Sequence, residues 1–121
     1  MSGKRVLIVE DEMLISMSLE DALIDYGFSV AGIAYDLDSA FSRLASSPFD
    51  VALLDINLGR DQVWPFAREL CSRGIAFAFL SSDCVRDDFP LELSHAPRMC
   101  KPFDEAEVFS VLKSLTVAKC A

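Results

Sequence analysis

The chain has 121 residues, 52% of them hydrophobic, and its 19 acidic against 11 basic side chains leave a formal charge of −8. That length is one domain, and so much apolar material supplies a core and argues against disorder. The negative charge disfavours nucleic acid or an anionic membrane surface as a direct partner. No apolar run reaches the ~18 residues of a membrane-spanning helix, and the N-terminus enters a strand without the apolar core of a signal peptide. Cys71, Cys84, Cys100 and Cys120 show no C-x-x-C spacing, and several lie in apolar or helical surroundings. They read as reduced thiols in a cytoplasmic protein. The single histidine, His95, argues against a multi-histidine metal site or a Ser-His-Asp machine.

Arg5 to Val9, apolar from Val6 onward, reads as a first buried strand, and it ends on Glu10-Asp11-Glu12. From Met13 to Tyr26 the residues Ile15, Leu19, Leu23 and Tyr26 keep helical spacing, with Gly27 as the stop. Phe28 to Ala34 reads as a second strand. Asp36 or Asp38 caps a helix carrying Leu37, Phe41 and Leu44, ended by Ser46-Ser47-Pro48. Val51 to Leu54 is the third strand and runs directly into Asp55, followed by Ile56-Asn57-Leu58-Gly59. A third helix spans about Val63 to Ser72, where Pro65 is tolerable because it lies in the first turn, and Gly74 closes it.

Ile75 to Leu80 is the fourth strand, ending on Ser81-Ser82-Asp83. The next stretch, bracketed by Pro90 and Pro97, fits no apolar period: Val85, Phe89, Leu91 and Leu93 leave room only for a short or irregular helix. Poor spacing and low burial predict that Asp83 to Pro97 is the mobile part of the fold. Arg98-Met99-Cys100 is a brief fifth strand leading into Lys101-Pro102-Phe103. Asp104 and Glu107 stand as cap and third residue of a last helix with Val108, Val111, Leu112 and Leu115 facing inward. Five strands alternating with helices describe an α/β fold, a doubly wound parallel sheet covered on both faces.

The unusual polar residues all fall at the C-terminal edge of that sheet, where ligands bind in open α/β folds. Glu10 and Asp11 follow strand one, Asp55 ends strand three, Ser81 follows strand four and Lys101 follows strand five. Singly, each reads as a turn former, a solvated loop carboxylate or a surface lysine. Together they form a chemical set. Three neighbouring carboxylates raise one another's pKa unless a cation sits among them. Oxygen ligands without imidazole or thiolate suit Mg²⁺, which completes its shell with water and phosphate oxygens. A carboxylate beside Mg²⁺ can act as a nucleophile and become an aspartyl-phosphate, with an ammonium and a hydroxyl neutralising the phosphoryl oxygens.

At Val6–Glu12 (V-L-I-V-E-D-E), Leu53–Leu58 (L-L-D-I-N-L), Phe79–Ser82 (F-L-S-S) and Cys100–Phe103 (C-K-P-F) the chain resembles the response regulator receiver domain of two-component signalling, CheY-like and of the stand-alone type. The match covers nearly the whole chain, in order. The resemblance implies strand order 2-1-3-4-5, Asp55 as phosphoacceptor, and Mg²⁺ held by Asp11, Glu10, Asp55 and the Asn57 carbonyl. It implies that Ser81 and Lys101 contact the phosphoryl group, that Pro102 is cis, and that Asn57 and Asp83 modulate phosphoryl lifetime. It further implies a histidine kinase or phosphotransfer protein as partner, a single receiver domain with no output domain, output by protein contact or phosphoryl flow, and no catalysis beyond the domain's own phosphorylation and dephosphorylation.

The chain also resembles a narrower group of bacterial single-domain receivers that carry a P-F-x-F-A-T-G-Y stretch. Here Ala76 to Asp83 reads A-F-A-F-L-S-S-D, so the Thr, Gly and Tyr are replaced. A second departure is Arg98, which occupies the position of the family's aromatic switch, three residues before the lysine. Two other readings of the chain are an interaction module that signals without phosphorylation and a small phosphatase or flavin protein. The latter lacks the D-x-D of that phosphatase class and any phosphate loop after strand one.

Overall fold

The structure, a computed structural model, describes residues 4–82 and 89–120. The sheet strands are β1 (Arg5–Val9), β2 (Ser29–Ala34), β3 (Val51–Asp55), β6 (Ala76–Ser81) and β7 (Arg98–Cys100), all parallel, in the order β2-β1-β3-β6-β7. Counted among themselves they run 2-1-3-4-5, as the resemblance implies. Between β3 and β6 lies a short antiparallel hairpin, β4 (Asn57–Leu58) with β5 (Asp61–Gln62), which the sequence reading lacks. Its turn contains Gly59 at φ +63°, the left-handed region that glycine enters without a side-chain penalty.

The central strands are buried on both faces, and the two-residue period of the strand sorts their side chains. Val6 and Ile8 of β1, Val51 and Leu53 of β3, and Ala78 and Leu80 of β6 face one side. They meet Leu19 and Leu23 of α1 (Met13–Asp25) and Val108 and Leu112 of α4 (Glu105–Cys120). Leu7, Val9, Ala52, Leu54, Phe77 and Phe79 face the other side, against Ala40 of α2 (Leu37–Ser46) and Trp64, Phe66, Ala67 and Leu70 of α3 (Trp64–Arg73). Full burial of one such aliphatic or aromatic side chain stabilises by about 1.5–3 kcal/mol, so the unbroken apolar runs dictate the layered fold.

Helix ends follow local chemistry. Of the two candidate caps for α2, Asp36 is the one used: its Oδ1 accepts from the Ser39 backbone N–H at 2.8 Å, and Ser39 Oγ accepts from the Asp36 N–H at 3.2 Å. Asp104 Oδ1 accepts from the Glu107 N–H at 2.8 Å as α4 begins. Pro65 lies in the first turn of α3, and Gly74 ends that helix at φ +72°.

The irregular stretch before β7 contains, among the described residues, one 3₁₀ turn, Leu91–Leu93. Its residues 83–88, including Val85 and Asp83, lie outside the described residues. The described part is better held than its poor apolar period predicts, since Leu93 and Ala96 are buried. It lies along one face of α3 in three rungs. Phe89 packs edge-on against Trp64 at 5.0 Å between ring centroids, Glu92 accepts from Arg68 Nε at 2.7 Å, and His95 Nε2 stands 3.9 Å from Cys71 Sγ. Residues 64, 68 and 71 share a helix face because they are four and three apart. Burial pushes the Cys71 thiol above its ordinary range, and the Glu92 carboxylate adds to that.

Cys71 is a free thiol, but Cys100 is disulfide-bonded. That corrects the reading of all four cysteines as reduced: spacing along a chain does not report which sulfurs the fold brings together.

Candidate functional site: the carboxylate rim

Strand register delivers the site. Val9 pairs with Leu54, so Glu10, the next residue, emerges beside Asp55. Asp55 in turn pairs with Leu80, and Ser81 pairs with Cys100, which puts Lys101 one residue beyond. The Lys101 N–H donates to the Ser81 carbonyl at 2.8 Å and fixes that corner, and the Lys101–Pro102 bond is cis. Glu10, Asp55, Ser81 and Lys101 thus come from four adjacent strands, and Asp11 joins them from the loop after β1.

The burial is unusual for such a charged group. Glu10 is 0% exposed and Asp55 6%, Ser81 is buried and Lys101 is partly buried. One ammonium faces three carboxylates: Lys101 Nζ lies 3.1 Å from Glu10 Oε1, 3.4 Å from Glu12 Oε1 and 3.6 Å from Asp55 Oδ2. Asp11 Oδ2 is steadied by the Gly59 N–H at 3.0 Å, which ties the hairpin turn to the rim. Glu10 Oε2 accepts from the Glu12 N–H at 3.1 Å. The fully buried Glu10 Oε1 is held by its ion pair with the Lys101 ammonium.

The electrostatics follow from this crowding. Burial, and then contact with the Glu10 carboxyl, push the Asp55 pKa up to about 8, with Asp11 adding to the rise and Lys101 opposing it. Burial alone would lower Lys101, but Asp55, Glu10 and Glu12 outweigh it and raise its pKa. One oxygen from each of Glu10, Asp11 and Asp55 lies within 4.8 Å of the others. Three crowded carboxylates that share one ammonium, a hard all-oxygen donor set and a carboxyl that holds its proton abnormally high suit a further cation. The donor set fits Mg²⁺.

Of the other positions singled out by sequence, Asn57 opens β4 two residues past Asp55, is exposed and pairs with Gln62. Asp83 lies outside the described residues. Arg98 opens β7 opposite Phe79, and its guanidinium carbon sits 4.4 Å above the centroid of the Phe89 ring, which packs against Phe79 at 4.9 Å. Two contributors escaped the sequence reading. Glu12 was visible in the E-D-E run but given no role, and the hairpin β4–β5 carries the Gly59 amide that holds Asp11.

A doubly wound five-stranded sheet with an acidic pocket at its carboxyl edge is a CheY-like receiver architecture. Residues 6–113 match the sequence profile of the response regulator receiver domain. The chain belongs to the response regulator receiver domain family. Among curated proteins it is 31% identical over 116 residues to the transcriptional regulatory protein QseB of Escherichia coli O157:H7, covering 92% of this chain and 52% of QseB. The chain thus spans about half the length of the curated relatives it matches. Among solved structures, SdrG from Sphingomonas melonis Fr1 superposes with a TM-score of 0.82 at 34% identity, covering 96% of this chain and 99% of SdrG. The receiver domain of PhyR from Erythrobacter litoralis gives 0.81 at 26% identity, covering 96% and 92%. No described helix is long and apolar enough to cross a membrane.

Proposed function

We propose that this receiver domain works as a phosphoacceptor in a cytoplasmic two-component relay, with Asp55 as the nucleophile. The observation that carries the reading is the convergence of Asp55, Glu10, Asp11 and Lys101 on one rim, where a single ammonium is shared among crowded carboxylates. An Asp55 carboxylate oxygen attacks the phosphorus of a phosphohistidine. The P–N bond breaks, its electron pair returns to the imidazole, and an acyl phosphate forms on Asp55. Lys101 pairs with the new phosphoryl oxygens, and the Ser81 hydroxyl donates to one of them.

Glu10, Asp11, Asp55 and the Asn57 carbonyl would hold Mg²⁺, which when bound supplies positive charge to offset the phosphoryl oxygens. Asn57 and, outside the described residues, Asp83 set phosphoryl lifetime. The domain catalyses no other reaction, and signals through protein contact or onward phosphoryl flow rather than by touching nucleic acid or membrane.

The phosphodonor is a histidine kinase or a histidine phosphotransfer protein. Next to the rim, α1 exposes Met13, Leu14 and Met17, with Leu14 81% exposed. Beside them is a hollow of about 400 Å³ lined by Leu14, Ile15, Ser18, Lys101, Pro102 and Phe103. Exposed apolar surface of this kind suits a protein partner that brings its phosphohistidine to Asp55. A second reading, signalling without phosphorylation, draws on Arg98, since the switch position is filled by a guanidinium engaged on Phe89.

Phosphotransfer from candidate kinases to the wild type and to Asp55→Asn separates the two. Acid-labile label on the wild type alone supports the phosphoacceptor. No label on either protein from any kinase or small phosphodonor supports the second reading.

A further inference from the structure

The Lys101 ammonium is shared between a buried carboxylate, Glu10, and an exposed one, Glu12. Lys101 Nζ donates to Glu12 at 3.4 Å and is ion-paired with Glu10 Oε1 at 3.1 Å. Glu12 is not part of the close oxygen cluster of Glu10, Asp11 and Asp55. It is the residue before α1, but its side chain makes no capping bond to that helix. Its carboxylate, 63% exposed, has Lys101 as its partner.

We propose that Glu12 is a positioning residue that tethers Lys101 in the resting state and competes with the phosphoryl group for it, limiting how much phosphorylated protein accumulates. The inference rests on Asp55 being the phosphoacceptor. A phosphoryl group on Asp55 must draw the ammonium inward, because Nζ lies 3.6 Å from Asp55 Oδ2 but closer to Glu12, at 3.4 Å. Releasing Glu10 would strand a charge that is fully buried, whereas water re-solvates Glu12 as it is let go. Glu12 is therefore the partner exchanged. Its negative charge at the mouth also repels an incoming anionic donor. Both effects work against the phosphorylated state. A solvent-exposed ion pair shifts an equilibrium by about two- to fivefold, which sets the scale.

The test uses the full chain as wild type, Glu12→Gln and Glu12→Asp, at saturating Mg²⁺, with phosphoramidate as a small donor that needs no docking surface. Glu12→Gln removes the charge and is expected to slow the decay of label about two- to fivefold and to lower the half-saturating donor concentration by a similar factor. Its maximal rate and melting temperature should stay those of the wild type. Glu12→Asp keeps the charge but is one methylene too short to hold the ammonium. It should slow decay like Glu12→Gln while leaving donor half-saturation at the wild-type value. A merely structural Glu12 would move melting and not this split. Equal decay in wild type and Glu12→Gln, with the label mapped to Asp55, overturns the tether alone. Label absent from Asp55 in the wild type removes the phosphoacceptor reading and the tether with it.

Discussion

Leu53 and Leu54 of β3 are fully buried, and Asp55, the next residue along the same strand, is 6% exposed. The two parts of the strand have nearly the same burial and opposite energetics. For the leucines, leaving water is the source of stability. For Asp55 it is a penalty on the charged form, increased by Glu10 and Asp11 and relieved in part by Lys101. β1 repeats the contrast between Val9 and Glu10, both 0% exposed. The apolar bodies of the strands supply the stability that lets the rim hold three carboxylates close together without a counter-ion of equal charge.

The largest expected effect lies in the strand bodies. Leu53→Ala opens a cavity between β3 and its layer of helices, and should destabilise by about 2–5 kcal/mol in urea unfolding. A loss below 1 kcal/mol would mean that the core is not what carries the fold.

At the rim the sign differs and depends on pH. Asp55 has a folded pKa of about 8 against an ordinary 3.8, so between those values the folded protein binds more protons than the unfolded chain. Metal-free stability should then be greatest at the low end of that window and fall as pH rises through it, with a slope of at most about 1.4 kcal/mol per pH unit from this group. Above about pH 8 the penalty is complete. Asp55→Asn should flatten the slope. Parallel curves for the two proteins would show that the burial penalty resides elsewhere.

The smallest effect concerns the start of the edge strand β7, the end remote from the rim. Arg98→Ala removes a guanidinium stacked on Phe89 and should cost about 0.5–1 kcal/mol, with no change in the pH slope. A change in slope would couple this edge to the rim and weaken the separation between the two.

The parts of this domain that could be read in sequence are those written in local patterns. Apolar runs of four to six residues announce the strands at the centre of the sheet, and the polar residues that follow those runs announce the rim. Asp104 before α4 and Gly74 after α3 announce helix ends. What escaped depends on contacts that no local pattern encodes. Strands of two residues, as in Asn57–Leu58 against Asp61–Gln62, are too short to show alternation. The three rungs that hold Phe89, Glu92 and His95 to α3 are an aromatic pair, an ion pair and a thiol–imidazole contact, so no apolar period betrays them. Glu12 and Lys101 are 89 residues apart, and the sequence places both on one rim without showing which carboxylate the lysine reaches. The disulfide at Cys100 was misread for the same reason.

The most direct test is the titration of the Asp55 carboxyl itself, followed by carbon NMR of selectively labelled aspartate with Asp55→Asn to assign the signal. Without divalent metal the carboxyl should titrate near pH 8, far above an ordinary aspartate. With saturating Mg²⁺ it should be ionised throughout the range above pH 6, because a bound cation favours the charged form. An Asp55 that titrates near pH 4 without metal, or a midpoint that Mg²⁺ leaves in place, would contradict a rim that stores like charge for a cation to relieve.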